Sequence, residues 1–327
     1  MLTFFRTNQV FYSVLLIFYI LLMRFSVFIA PFRWTPSGDG VLSELVYSWI
    51  GSQHVVSQIT AIVLLLIQGF IVNGISINHR LSHEVNLFPG VFYILTACLI
   101  PDFLYLSPVL LANTFLFIAL NEIFTTYKNP ACADRIFNAG FWMGVASLFY
   151  FPYIFFFILL VIGHNILRAF NIQELLMMST GLLIPYLLTG LYFFWFDQFD
   201  VFWDHQFIRN FGFFSVANAL NSWDGYVKVL LFALLTGFVV FSNNTYMIKK
   251  NIQVQKKISV LYWILVVAGI SAPFQAGLTF EHFLMLTPTL GIFLGLTFTN
   301  MKSQWAEAIH FIMVVLALSL QFVPWLL

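Results

Sequence analysis

Long apolar runs separated by short polar segments dominate the hydropathy pattern of this chain from one end to the other. A helix needs about 20 mainly apolar residues to cross a lipid bilayer, and windows of that length recur throughout the sequence. The pattern therefore predicts an all-α integral membrane protein. Its eleven predicted membrane-spanning helices occupy residues 8–31, 58–78, 88–106, 107–127, 136–151, 152–170, 174–196, 226–245, 258–277, 280–299 and 305–325.

The composition agrees with a membrane protein. Only 8% of the 327 residues are charged, 61% are hydrophobic and 41 are Phe, whereas about a quarter of the residues in soluble domains are charged. The basic residues stand singly among apolar runs, so they cannot form the continuous positive surface that follows a nucleic-acid backbone. We therefore expect no nucleic-acid partner. No repeat or soluble segment divides the chain, which predicts one polytopic membrane domain over residues 1–327.

The distribution of basic residues predicts the orientation. If the N-terminus is cytoplasmic, ten basic residues fall on the inner side of the membrane and three on the outer side. This asymmetry follows the positive-inside rule, so we predict a cytoplasmic N-terminus and an extracytoplasmic C-terminus. The inner residues are Arg6, Arg80, Lys128, Arg135, Arg168, Lys249, Lys250, Lys256, Lys257 and Lys302, and the outer residues are Arg33, Arg209 and Lys228.

Two connections on the predicted outer side are long and rich in aromatic residues, at residues 32–57 and 197–225. Phe and Trp side chains in a loop that stood free in water would expose a large apolar patch. We therefore expect the second outer loop to pack over the first.

The first outer loop contains Asp39 between Gly38 and Gly40. Glycine on either side lets the backbone bend freely and approach a ligand closely, so Asp39 is a candidate general base or a ligand for a metal or an amine. Pro-Ser-Gly-Asp-Gly is also ordinary turn chemistry, and a structural turn is the alternative interpretation.

The second outer loop begins with Asp197, Asp200, Asp204 and His205, followed by Arg209. Carboxylate and imidazole donors can coordinate a divalent cation, although the spacing of these four residues matches no known metal loop and half-exposed acids are common at an interface. Arg209 is a candidate phosphate ligand because a guanidinium forks onto two oxygens. Its alternative role is to anchor the loop to lipid headgroups.

Further ionisable residues lie close to or within predicted spans. Glu281 and His282 open the tenth span on the outer side, where an ionisable pair is costly and therefore a candidate for binding an acceptor or carrier; a Glu that favours the helix dipole is the alternative. We predict that Arg24, inside the first span, extends outward to the headgroups. His79 and Arg80 are expected to anchor the inner interface.

The layout resembles the GT-C superfamily of integral-membrane glycosyltransferases, which use polyprenyl-phosphate-linked sugars. The resemblance is carried by the acid that follows the first span and the large outer loop after the seventh. The stretch FNAGFWMGVASLFYFPYIFFFILLVIGHNILR is similar to the family's short helix pair, and EHFLMLTPTLGIFLGLTF is similar to its late Pro-containing helix. The whole sequence also resembles a family of Phe-rich multi-pass inner-membrane proteins of Bacteroidota.

The resemblance implies a bacterial inner-membrane glycosyltransferase or lipid-carrier-handling protein of the cell envelope, active or catalytically degenerate. Its donor substrate would be a polyprenyl-phosphate sugar, and a divalent cation is an expected cofactor. In this family the acid of the first outer loop is the catalytic base or metal partner, which matches Asp39 here. The main alternative is a non-enzymatic membrane subunit in an envelope or secretion assembly, and a secondary transporter is less favoured because the sequence shows no matching pair of broken helices.

Overall fold

A computed structural model describes most of the chain as a bundle of helices. The described residues form helices and no strand, which confirms the all-α prediction. They are residues 2–6, 10–29, 40–50, 54–212, 223–247, 250–275 and 279–322.

The α-helices of these residues are numbered here in chain order. They are α1 (Val10–Met23), α2 (Phe25–Ile29), α3 (Val41–Ile50), α4 (His54–Asn78), α5 (Phe88–Ala97), α6 (Pro108–Thr125), α7 (Ala133–Phe149), α8 (Phe156–Leu167), α9 (Ile172–Trp195), α10 (Phe199–Trp203), α11 (Trp223–Phe241), α12 (Asn243–Met247), α13 (Ile252–Ser271), α14 (Thr287–Thr299) and α15 (Ser303–Phe322). Short 3₁₀ segments, among them Phe151–Phe155 and Phe280–Met285, connect several of them.

Five helical segments in the described residues are long and apolar enough to cross a membrane: Val55–Asn78, Pro108–Thr125, Ile172–Trp195, Ile252–Phe274 and Ser303–Phe322. The other apolar helices are shorter, because polar or Pro-containing breaks interrupt several predicted spans. The first span is divided at Arg24, and the third ends its α-helix at Ala97. An irregular backbone at membrane depth is tolerated where surrounding protein satisfies its polar groups.

The two short helices α5 and α14 form the centre of the bundle. Every residue of both helices is buried. The helices meet through glycine: a Cβ atom added at Gly291 would lie 2.5 Å from Cα of Tyr93, and one at Gly295 would lie 2.7 Å from Cα of Pro89. Two glycines four residues apart let helix backbones approach closely, which is the usual way for membrane helices to pack tightly.

A second close crossing joins α7 to α9. A Cβ atom at Gly144 would lie 2.5 Å from the carbonyl oxygen of Leu182, and one at Gly181 would overlap the backbone of Phe137. Helices α7 and α8 form a hairpin that turns at Tyr150, because Tyr150 leaves the helical conformation with an extended backbone. The hairpin brings α9 and the loop that follows it against the start of α3.

Helix α4 runs between the two ends of the bundle. Its 25 residues span about 37 Å at the usual helical rise. We call the end that contains Gly40 and His205 the Gly40 end. The opposite end, which contains Arg80 and Arg168, is the Arg80 end.

The prediction that Arg24 extends to the headgroups is wrong. Its side chain is fully buried at the break between α1 and α2, and its three guanidinium nitrogens have no hydrogen-bond partner among the described residues. Helix α15 covers this break. Gln321 Nε2 donates to the carbonyl oxygens of Met23 and Cys98, at 3.0 and 2.6 Å, and Ser26 Oγ donates to Gln321 Oε1. Arg24 is therefore enclosed by protein and does not reach the headgroup region that the sequence prediction assumed.

Candidate functional site

Gly40 is the point at which the first of the two segments predicted to be outer joins the bundle. Its N–H donates to the carbonyl oxygen of Phe149 at 3.0 Å, and its own carbonyl oxygen accepts the first bonds of α3 from Ser43 and Glu44. A Cβ atom at Gly40 would overlap the carbonyl oxygen of Leu148 and lie 2.8 Å from that carbonyl carbon. Glycine is required here by close backbone approach. Asp39 itself lies outside the described residues, so its role stays a prediction.

We expect Gly40→Ala to destabilise the protein by about 1–3 kcal/mol, the usual range for overpacking against atoms that cannot move aside. The control is Gly74→Ala in α4, where an added Cβ meets nothing within 4 Å and alanine favours the helix. Thermal unfolding of the two variants in detergent measures the difference. Equal melting temperatures would show that the junction at Gly40 is not tightly packed.

A contact between an imidazole and a carboxylate joins the two segments that are predicted to be outer. His205 Nδ1 lies 2.5 Å from Glu44 Oε2, and both side chains are partly exposed. Beneath this pair, the buried Gln206 accepts a hydrogen bond from Val41 N with Oε1 and donates to the carbonyl oxygen of Ser147 with Nε2. The described parts of these two segments therefore pack together, as the aromatic content of the second segment predicted. A carboxylate that holds one nitrogen of an imidazole sets its tautomer and orientation, which is an arrangement suited to proton transfer.

A π-helical turn at Asp204–Ile208, directly after α10, presents these groups. Such turns insert one residue into a helical path and are frequent at functional sites. Arg209 follows the turn, and its Nε donates to Asp204 Oδ2 at 2.6 Å. The Arg209 side chain is 60% exposed. Because a guanidinium has five N–H donors, this single bond leaves donors for a further anion.

The cation ligands predicted in residues 197–225 contact other groups or solvent. Asp204 binds Arg209 and His205 binds Glu44, while Asp197 and Asp200 are exposed. Within the residues that the structure covers, no group of three His, Cys, Asp or Glu side chains can hold a metal ion. The divalent cation is therefore a prediction from sequence and resemblance alone.

An apolar groove of about 710 Å³ lies beside the π-helical turn. One wall is formed by Leu183, Leu187 and Leu191 of α9, and the other by Phe199 and Trp203 of α10. The leucine side chains are more than half exposed, so the groove opens sideways, towards the surroundings of α9. An open apolar surface of this kind suits contact with lipid or with an apolar ligand.

His282 forms a second polar cluster at the Gly40 end. Its Nε2 lies 3.0 Å from the carbonyl oxygen of Ala268 and 3.2 Å from Ser271 Oγ, and its Nδ1 lies 3.2 Å from the hydroxyl of Tyr150. A carbonyl oxygen only accepts, so Nε2 carries the proton. The Tyr150 hydroxyl also lies 2.8 Å from Gln275 Oε1. The neighbouring Glu281 is 4% exposed, so both predicted residues are buried and not at an open surface.

A backbone bridge connects the two clusters. Phe211, two residues after Arg209, pairs with Gln275 in an isolated β-bridge, and Gly212 N donates to the carbonyl oxygen of Phe274. Gln275 in turn contacts Tyr150, which holds His282. The segment that carries Arg209 is thereby fixed to the segment that carries His282.

Several residues of this site were not singled out from the sequence. Glu44 had no distinguishing pattern, and Gln206 and Ser147 resemble ordinary polar residues beside apolar runs. The one available signal was for Tyr150, because the aromatic Tyr150 precedes Phe-Pro at a break between two spans, where a helix must end. Comparison of the chain with protein-family models, curated proteins and solved structures finds no match.

Proposed function

We propose that the protein binds an amphiphilic substrate at the Gly40 end, and that this substrate is a sugar linked through phosphate to a polyprenyl chain. One observation carries the proposal: the open apolar groove ends at the same π-helical turn that presents His205 and Arg209. A polyprenyl-phosphate sugar has the same division into a long apolar chain and a polar head. The groove suits the chain, and the turn suits the phosphate.

The proposed reaction is transfer of the sugar to an acceptor hydroxyl, as in the GT-C superfamily. The hydroxyl oxygen forms a bond to the anomeric carbon while the bond from that carbon to the phosphate oxygen breaks. The proton of the hydroxyl passes to a base, for which Asp39 is our candidate, and the electron pair leaves with the polyprenyl phosphate. Arg209 stabilises the charge that develops on this phosphate. Glu44 positions His205 next to the same head group.

The proposal includes the finer topology. The chain crosses a bacterial inner membrane eleven times with its N-terminus in the cytoplasm, which places the Gly40 end and its acids on the extracytoplasmic side. The concentration of basic residues at the Arg80 end supports this orientation. Polyprenyl-linked donors of envelope synthesis are used on that outer side. A reporter that is active only in the cytoplasm should therefore be inactive when fused after Leu327.

A labelling experiment tests the groove directly. The purified protein is irradiated with a photoreactive polyprenyl phosphate, and Leu187→Trp is compared with wild type. We expect labelling to fall roughly tenfold, or about 1.4 kcal/mol of binding, because the indole fills the groove. Arg209→Gln should weaken labelling to a similar extent by removing a charge-assisted bond to phosphate.

Leu176→Trp is the matched control, since Leu176 lies on the same helix with 59% of its surface exposed, against 58% for Leu187, but does not line the groove. Labelling of this variant should equal that of wild type. If Leu187→Trp, Arg209→Gln and the control are all labelled like wild type, the groove does not hold the carrier, and the non-enzymatic subunit becomes the better interpretation.

A further inference from the structure

A polar pocket of about 600 Å³ lies at the Arg80 end, on the far side of the bundle from the groove. One wall is the turn that follows α4, with His79, Arg80 and His83. The other wall is the start of α13, with Lys250 just before the helix. Of these side chains, Arg80, His83 and Lys250 carry or can accept a positive charge, so three such groups line one cavity. The acid on its lining, Glu84, is half exposed and pairs with Arg6 at 3.6 Å.

Arg80 holds its position with a backbone conformation that favours glycine. Its φ is 53°, in the left-handed region. The turn ends α4 by the hydrogen-bond pattern of a Schellman motif, with Leu81 N donating to the carbonyl oxygen of Ser76 at 2.9 Å and Arg80 N to that of Ile77 at 3.1 Å. Glycine is the usual residue at this position, and a side chain there costs about 1–2 kcal/mol. An arginine kept in a disfavoured conformation points to a use for its guanidinium.

A buried lysine lies behind the pocket wall. Lys257 is 2% exposed, and its Nζ donates to His79 Nδ1 at 2.8 Å, while His79 Nε2 lies 3.0 Å from Asn121 Oδ1. His79 accepts from an ammonium and is therefore neutral; burial and the charge of Lys257 lower the pKa of His79 to about 4. Among the described residues no carboxylate lies within 4 Å of Lys257, whose Nζ stands 5.7 Å from the ring centre of Phe124.

Helix α13 adds positive potential to the same cavity. It begins at the pocket wall, where Asn251 and Gln253 contribute to the lining. Asn251 is the N-cap residue, and its side chain makes no capping hydrogen bond. The first N–H groups of a helix lack partners inside the helix and carry a partial positive charge, so an uncapped N-terminus favours an anion.

We propose that this pocket is an anion site that binds a phosphate group through Arg80, Lys250 and the start of α13. The guanidinium of Arg80 forks onto two phosphate oxygens, and Lys250 supplies a second charge-assisted bond. The anion also supplies the counter-charge that the buried Lys257 lacks. The ligand is either a phospholipid head group or a small soluble phosphate ester. The site is separate from the groove and does not depend on the proposed function.

Two probes distinguish these sources, applied to the full chain. Inorganic pyrophosphate is titrated into the protein in neutral detergent and followed by calorimetry. Retention of phosphatidylglycerol against phosphatidylcholine is measured by native mass spectrometry of protein taken from nanodiscs that contain both lipids. The variants are Arg80→Gly and Lys250→Gln. Lys256→Gln is the control. Lys256 lies in α13, its ammonium group stands over the ring of Tyr127, and it does not line the pocket.

We expect the affinity for the bound probe to fall roughly tenfold in Arg80→Gly and in Lys250→Gln, since each loses a charge-assisted bond. Arg80→Gly should melt at the same temperature as wild type or higher, because glycine relieves the left-handed conformation; lost binding then does not reflect misfolding. Binding of pyrophosphate identifies a soluble ester, and selective retention of phosphatidylglycerol identifies a head group. Equal binding by wild type and Arg80→Gly, or binding of neither probe by wild type, would overturn the proposal.

Discussion

The Asp39→Asn variant is expected to insert and fold like wild type and to lose most of the glycosyl-transfer activity that we propose. Asparagine has the same shape as aspartate and serves turns about as well, so folding has little to lose. A general base typically contributes about 10²–10⁴-fold to a rate, or roughly 3–5 kcal/mol of barrier. A complementation or envelope-glycan assay at matched protein levels measures this loss.

Glu44→Gln provides the comparison within the same site. Glu44 orients His205 and does not itself take the proton in our scheme, so its loss should lower activity much less than loss of Asp39 does. Wild-type activity in Asp39→Asn would remove Asp39 as the base. If Asp39→Asn keeps wild-type activity and Glu44→Gln loses most of it, the base is instead the pair of His205 and Glu44, whose Nδ1 and Oε2 atoms lie 2.5 Å apart.

Substitutions at Gly40 do not test the role of Asp39. A turn interpretation of the Gly-Asp-Gly sequence predicts that bulky residues at Gly40 are harmful, and the contact with the Leu148 carbonyl predicts the same result for a different reason. Gly40→Val therefore reports on packing at the end of α7 whether or not Asp39 is catalytic. The informative variant is the isosteric one.

The long helices could be predicted from the sequence because a continuous apolar run is a local property. The span predicted at residues 174–196 is found as Ile172–Trp195, and that at 305–325 corresponds to Ser303–Phe322 within the described residues. Neither helix depends on a partner for its length, since each backbone satisfies its own hydrogen bonds inside the segment.

The breaks in the helices could not be predicted in the same way. The run at residues 8–31 is mainly apolar, with Arg24 as its one charged residue, yet α1 ends at Met23, where Gln321, 298 residues away, donates to the Met23 carbonyl oxygen. Arg24, at the same break, is fully buried. A break that a distant helix stabilises leaves no periodic signal in its own segment.

The candidate site shows the same limit. The aromatic content of residues 197–225 predicted that this segment packs on residues 32–57, because an exposed apolar patch is unfavourable. The contacts themselves join His205 to Glu44 and Gln206 to Val41, across 161 and 165 positions of the sequence. Composition predicts that two surfaces meet, whereas the pairing of particular residues depends on how α7 and α9 place them.

Gly291→Val is expected to cause the largest loss of stability, because α14 meets α5 through backbone atoms. An added Cβ would lie 2.5 Å from Cα and 2.6 Å from N of Tyr93, and main-chain atoms cannot rotate aside. Helix α5 cannot retreat either: the Tyr93 hydroxyl donates to Gln68 Oε1 at 2.6 Å, and Gly90 N donates to Asn73 Oδ1 at 2.8 Å. Both acceptors belong to α4, on the opposite side.

We therefore expect Gly291→Val to lower the free energy of unfolding by about 3 kcal/mol or more, the upper part of the range for overpacking. Gly269→Val in α13 is the matched control, since an added Cβ there meets nothing within 4 Å. Thermal unfolding and the yield of monodisperse protein in detergent measure both variants. Adding Tyr93→Ala to Gly291→Val should not restore stability, because the overlap is with the backbone of Tyr93; rescue by that change would show that the helices meet through side chains instead.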